Sequence, residues 1–212
     1  MKIKVCGLKY KDNITQIAVL DVDMLGFIFY KKSSRYVGND IDKTLLNNLA
    51  KHIKKVAVFV DEPAENILSI QQQYEFDFIQ LHGDETTNDC KVLKSLGINI
   101  IKAFSVDEFF DFSKTKPYQP YCNYFLFDTK GKEKGGNGYV FNWALLNQYT
   151  FDTPFLLSGG IGADNMHDAL QVSHPQLSGF DINSKIEISP AIKSVQQVKY
   201  IIEQVKYKSK QL

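Results

Sequence analysis

Short apolar runs recur along the chain, separated by longer stretches in which apolar residues return every three or four positions. The runs are IKVC (3–6), LGFIF (25–29), VAVFV (56–60), FDFIQL (76–81), INIIKAF (98–104), NYFLFD (123–128), PFLLS (154–158) and LSGFDI (177–182). Segments this short and apolar on both faces suit strands buried in a parallel sheet. Their centres lie about 21 to 31 residues apart, close to one strand–helix unit.

The intervening segments read as helix. Asp42 precedes TLLNNLAKHIKK, Pro63 opens AENILSIQQQY, and Thr87 precedes NDCKVLKSLG with Gly97 as its stop. Asn142 is placed to cap WALLNQY, and Asp164 to cap NMHDALQVS. In SVQQVKYIIEQVKY, Val195, Val198, Ile201, Ile202 and Val205 share one helical face. Between 104 and 122 the helical pattern is short and two prolines mark a loop. Eight strands alternating with helices predict an α/β chain folded as a single closed (β/α)8 TIM barrel over 1–212. A doubly wound open sheet would place a glycine-rich turn after the first strand, and CGLKYKD is not such a fingerprint.

Composition narrows the partners. Lys and Arg number 25 against 24 Asp and Glu, a net charge of +1, so there is no basic field for nucleic acid and no acidic surplus. Surface scaling for 24.2 kDa predicts roughly 10,000 Å² exposed out of about 35,000 Å² unfolded, enough burial for one large core. Three cysteines (Cys6, Cys90, Cys122), with no close pair in sequence and no metal-ligand spacing, imply neither a disulfide framework nor a zinc site. The N-terminus lacks a signal peptide's apolar core, and no run reaches the length of a membrane span. The expectation is a cytoplasmic protein with no nucleic-acid and no membrane partner.

In a barrel the chemistry sits where the strands end. Those positions are Cys6-Gly7, the segment YKKSSRY after Phe29, Asp61, Gln80 to Gly83, Asp128-Thr129, Ser158-Gly159-Gly160 and Asp181 to Ser184. Taken singly, each has an ordinary structural reading. A lone strand cysteine is a small buried hydrophobe, an aspartate after a strand is a cap, and a glycine pair is a turn. A lone histidine is a hydrogen-bonded structural residue, and Arg35, Lys31 and Lys32 are surface charges. Trp143 and the abundant Phe and Tyr read as core.

Taken in order, the strings KVCGLK, GFIFYKKSSRYV, VFVDEP, IQLHGDE, LFDTKGKEKGGNGYVFNW, LLSGGI and GFDINSKIEISPAIK resemble the phosphoribosylanthranilate isomerase family of tryptophan biosynthesis across nearly the full chain. The resemblance implies an Amadori rearrangement of N-(5-phosphoribosyl)anthranilate to 1-(2-carboxyphenylamino)-1-deoxyribulose 5-phosphate. An acid protonates the ring oxygen as the sugar opens to an iminium, and a base then removes the C2 proton. The iminium is the electron sink, so no metal and no cofactor is implied. The partner implied is a small phosphosugar substrate, with the protein acting as a monomer or homodimer. No fused indole-glycerol-phosphate synthase domain is expected.

The same resemblance assigns roles. Cys6 corresponds to the general base, a thiol with a reference pKa near 8.5 that needs neighbours favouring the thiolate, and Gly7 lets substrate approach. Asp128 corresponds to the general acid, kept protonated more readily by desolvation at the barrel rim. Arg35 corresponds to the group that forks onto the anthranilate carboxylate. Gly159, Gly160, Asp181, Asn183 and Ser184 form the phosphate clamp, with Gln80 and His82 as secondary positions. The lysines Lys130, Lys132 and Lys134 and the Gly135-Gly136-Asn137-Gly138 stretch correspond to a lid over bound substrate. Two departures stand out. The family's Asp-x-Ser-Ser-Gly-x-Glu becomes Asp181-Ile182-Asn183-Ser184-Lys185-Ile186-Glu187, and Ala191 replaces a common glycine. Lys185 in place of glycine puts the local backbone geometry in question, and its ammonium is a further candidate for facing the phosphate. Rival readings are another phosphate-binding barrel, such as the tryptophan synthase α subunit or the histidine-pathway aminoaldose isomerase, or a barrel that binds phosphate as a sensor or partner subunit without catalysis.

Overall fold

The computed structural model describes residues 1–38, 41–130 and 140–209. Eight strands follow one another in chain order around a closed parallel barrel: β1 (Lys2–Val5), β2 (Met24–Ile28), β3 (Lys54–Phe59), β4 (Phe78–Leu81), β5 (Ile100–Val106), β6 (Tyr124–Thr129), β7 (Phe155–Leu157) and β8 (Leu177–Ile182). Pairing of β1 with β8, from Lys2 opposite Gly179 to Val5 opposite Ile182, closes it. All eight expected runs form strands.

Alternation along each strand divides the core in two. Ile3, Val5, Leu25, Phe27, Ala57 and Phe59 belong to the layer between strands and helices. Cys6, Met24, Ile28, Val56, Val58, Ile101, Ala103, Leu126 and Leu156 form a separate cluster inside the barrel. The inward-facing positions also carry polar residues. Lys4, Gln80, Asp128, Ser158 and Asp181 are all buried and share the parity of the interior set. This register places the polar groups; the apolar residues around them supply the dry walls.

Helices pack outside. The first, α1 (Lys11–Ala18), precedes β2, and α2 (Lys43–Asn47) is capped by Asp42, whose Oδ1 accepts from Leu45 N at 3.0 Å. The longer helix expected after Asp42 stops at five residues, because Lys54 and Lys55 are drawn into the sheet opposite Met24 and Leu25. Helix α3 (Ala64–Tyr74) follows Pro63 as expected. Helix α4 (Thr87–Ser95) is capped by Thr86, one residue before the expected Thr87, because Thr86 and Asp89 complete a capping box. Residues 112–118 and 143–148 form 3-10 turns, the second capped by Asn142. In front of α5 (Met166–Ala169) the expected cap at Asp164 does not form. Asn165 instead closes the β7 loop, bonding Gly162 N and Gly160 O, both at 2.9 Å.

A hairpin that the apolar pattern does not reveal, β9 (Glu187–Ser189) and β10 (Ile192–Lys193), leads into α6 (Val195–Ser209). There Val198, Ile201, Ile202 and Val205 are buried as their spacing predicts. All three cysteines are free, with Cys90 buried in the core and Cys122 partly buried against it. Trp143 packs against the core from its edge. Among the described residues no helix is long and apolar enough to cross a membrane.

Candidate active site

A cavity of about 450 Å³ opens at the C-terminal ends of the strands. Its wall includes Cys6, Arg35, Gln80, His82, Asp128, Gly159, Gly160, Asp181, Asn183 and Ser184, so these ten of the residues singled out in the sequence share one space. Lys32, expected as a solvated charge, stands exposed at the edge of this cavity. Asp61 does not line it. Its backbone N–H bonds Glu85 and its carboxylate accepts from Asp84 N, tying the β3 and β4 loops together.

On the floor, Cys6 follows β1 and is 3% exposed. Lys4 is fully buried, with Nζ donating to Asp181 Oδ1 at 2.8 Å, while Ser158 Oγ lies 3.3 Å from Asp181 Oδ2. Asp181 therefore turns both carboxylate oxygens to side chains of the barrel. Burial pushes the Cys6 thiol up, the Lys4 ammonium pulls it down, and Asp181 adds to the upward push. Burial opposes the charge on Lys4, yet Asp181 and the Cys6 sulphur together hold that ammonium above its ordinary value.

On the opposite wall, His82 Nε2 lies 3.1 Å from Asp128 Oδ2, and His82 Nδ1 lies 2.9 Å from Gln80 Nε2. With the amide nitrogen facing Nδ1, a neutral imidazole carries its proton on Nε2 and points it at Asp128. Gln80 Oε1 is buried without a hydrogen-bond partner among the described residues. Asp128 itself extends from β6 beside Thr129, whose Oγ1 donates to Gly159 O at 3.3 Å.

The third group is a chain of charges in which the sequence assigns a role to Arg35 but none to Glu187 or Lys193. Arg35 Nε and Nη2 fork onto Glu187 Oε1 and Oε2 at 2.8 and 2.7 Å. Lys193, buried, donates to Glu187 Oε1 at 2.7 Å and to Asn183 Oδ1 at 2.6 Å. Asn13 in turn clasps the Lys193 backbone from both sides. Burial would push Glu187 up, but Arg35 and Lys193 outweigh it and hold the carboxyl below its usual value. Burial pulls Lys193 down, with Glu187 acting in the opposite sense. Because Asn183 Oδ1 is taken by Lys193, the amide keeps its Nδ2 donor for the cavity. Arg35 likewise keeps Nη1 clear of Glu187. Glu187 closes the motif quoted above and Lys193 the SPAIK string, but only folding shows that they meet.

The two departures from the family pattern resolve differently. Lys185 takes an ordinary backbone conformation, so a glycine is not needed there, and its ammonium lies 3.5 Å from Asp164 outside the cavity wall. Gly162 makes room for it, since a Cβ at 162 would stand 2.7 Å from Lys185 Cβ. Ala191 does adopt a left-handed backbone, at φ 67°, and its N–H bonds Glu187 Oε1 at 2.9 Å. The lid expected at 130–138 lies, apart from Lys130, outside the described residues. Among the described residues no group of three or more His, Cys, Asp or Glu is placed to hold a metal ion.

A closed eightfold barrel with a thiol, a carboxylate and polar donors around one mouth defines the chain as a (β/α)8 barrel with a candidate site at its C-terminal rim. The sequence model described as N-(5'phosphoribosyl)anthranilate (PRA) isomerase matches residues 3–204. The chain belongs to this family. It is 39% identical over 206 residues to the N-(5'-phosphoribosyl)anthranilate isomerase of Parabacteroides distasonis, covering 97% of this chain and 93% of that one. The crystal structure of the Thermotoga maritima phosphoribosyl anthranilate isomerase superposes with a TM-score of 0.87 at 30% identity, covering 98% and 99% of the two chains. A phosphoribosyl anthranilate isomerase in complex with reduced 1-(o-carboxyphenylamino)-1-deoxyribulose 5-phosphate gives a TM-score of 0.84 at 28% identity, with the same coverage.

Proposed function

We propose that the mouth of this barrel performs the family's aldose–ketose isomerisation of N-(5-phosphoribosyl)anthranilate, with Cys6 as base and Asp128 as acid. The chain as one barrel unit, 1–212, carries the activity. The observation that bears most on this is the convergence of Cys6, Asp128, Arg35 and the β7 and β8 loops on one cavity.

Asp128 gives a proton to the ring oxygen as the C1–O bond breaks, and the anthranilate nitrogen lone pair forms the C1=N bond. The Cys6 thiolate then takes the C2 proton. The released electron pair forms the C1=C2 bond and neutralises the nitrogen, and the resulting enol tautomerises to the ketose. His82, backed by Gln80, orients the Asp128 carboxyl. Arg35 receives the anthranilate carboxylate on Nη1, its fork held in place by Glu187. Ile28, Val58 and Val60 offer an apolar wall for the aromatic ring.

The phosphate belongs at Gly159, Gly160, Asn183 and Ser184. Both glycines hold positive φ, at 88° and 72°, and their N–H groups have no hydrogen-bond partner among the described residues. Asp181 lies in the same wall, and its charge is committed to Lys4. The role assigned to it is counter-ion beneath the clamp rather than contact with phosphate. Three free thiols support a reducing, cytoplasmic setting.

The test is direct. Freshly made phosphoribosylanthranilate is mixed with the protein and the loss of its fluorescence followed. Cys6→Ala and Asp128→Asn are each expected to lower kcat by about 100-fold or more with an unchanged thermal midpoint. Wild-type turnover in either variant removes that residue's role. A wild-type protein that binds phosphate analogues without accelerating the reaction favours the sensor reading.

A further inference from the structure

Lys4 is a buried cation that takes no part in the proposed proton transfers. It lies in β1 two residues before Cys6, and positions i and i+2 of a strand face the same side, so both side chains enter the barrel. Across the β1–β8 pair, Lys4 and Asp181 are direct partners in register, and their side chains meet at 2.8 Å. The same ammonium acts through its charge on the Cys6 sulphur. Strand β2 leaves room for this pair by carrying Gly26. A Cβ at 26 would stand 2.7 Å from Cys6 Sγ and 3.1 Å from Lys4 Nζ.

A buried ion pair is poor ground for stability, since an apolar pair of similar volume is often neutral or better. Stability alone therefore gives little reason for Lys4 at this position. A thiol that must act as a base inside a dry barrel does need a nearby cation, because burial alone favours its neutral form. The charged groups around the sulphur are Lys4 on β1, Asp181 on β8 and, through space, Lys193 on β10.

We propose that Lys4 is a positioning residue for Cys6, its ammonium held by Asp181 so that the thiolate forms against a fixed positive charge. This rests on the reading of Cys6 as the base. In the reaction Lys4 keeps its proton throughout. The sulphur passes from thiolate to thiol as it takes the C2 proton, and Asp181 continues to balance the ammonium.

Lys4→Met tests this, with Lys4→Met/Asp181→Asn as the second variant, in which no unpaired carboxylate is left buried. The Cys6 thiol is titrated by its rate of alkylation with iodoacetamide against pH, read by mass spectrometry of the Cys6 peptide, and kcat is measured over the same range. In both variants the alkylation midpoint should move up by at least about one pH unit, lowering the thiolate fraction at pH 7 about tenfold per unit. The deficit in kcat should shrink as pH rises toward the new midpoint, with KM little changed in the single variant. An unmoved midpoint, or a loss of kcat that is constant with pH, overturns the role of Lys4. Full activity in Cys6→Ala overturns the base assignment instead, and the alkylation midpoints still decide whether Lys4 governs the thiol.

Discussion

Close backbone approach is what the smallest residues supply at this mouth. Gly159 combines a φ of 88° with a neighbour that leaves no space: a Cβ would stand 2.2 Å from Thr129 Oγ1 and 2.3 Å from Thr129 N, next to Asp128. Gly97 has nearly the same φ, 80°, and among the described residues nothing would stand within 4 Å of a Cβ placed there. Comparing alanine at the two sites separates strain from collision. Gly97→Ala should cost about 1 kcal/mol in denaturant unfolding and leave kcat unchanged. Gly159→Ala should cost about 2 kcal/mol or more and lower kcat/KM, because the end of β6 must move. Equal effects on stability and activity at the two sites would refute that distinction. The Gly-Gly string was legible as a turn. Which of its glycines has no spare volume was not, since the obstructing Thr129 is 30 residues away.

Among the elements, helix ends were read better than helix lengths. Asp42 and Asn142 start their segments as expected, because a cap is a local bond within a few residues, and Pro63 starts its own through a locally fixed φ. The helix after Asp42 is shorter than its pattern, because the sheet register claims Lys54 and Lys55. The end of α3 offers a measurable consequence. Glu75 sits there exposed at φ 55°, a conformation that suits glycine. Glu75→Gly relieves about 1–2 kcal/mol of left-handed strain against about 0.4–1 kcal/mol of unfolded-chain entropy. The net expectation is a gain of about 0.5–1 kcal/mol, or about 1–4 °C in Tm, by calorimetry. A lower Tm would show that Glu75 makes a compensating contact. Hairpin β9–β10 was not legible, being too short and polar to stand out as a strand pair, although it carries Glu187 and Lys193.

The closed barrel ties distant charges into one acid-sensitive set. Arg35 and Lys193 hold the Glu187 carboxyl below its ordinary 4.5. A carboxyl depressed by folding contributes stability that is present above its unfolded value and lost as pH falls through the folded one. Stability should therefore decline below about pH 4.5. Glu187→Gln should flatten that acid limb while costing about 2 kcal/mol at pH 7, as read by urea unfolding across pH. An acid limb as steep as wild type would place its source elsewhere. The order of the strands, the fold they close and the strings that mark the family were all determined along the chain, because apolar runs, caps and motifs are local and periodic. The pairing of Lys4 with Cys6 and Asp181, of Gln80 and His82 with Asp128, and of Arg35 with Glu187 and Lys193 was decided only by closure. Strand register sets which alternate residues face inward and which strands become neighbours, and that contact information lies between segments far apart in sequence.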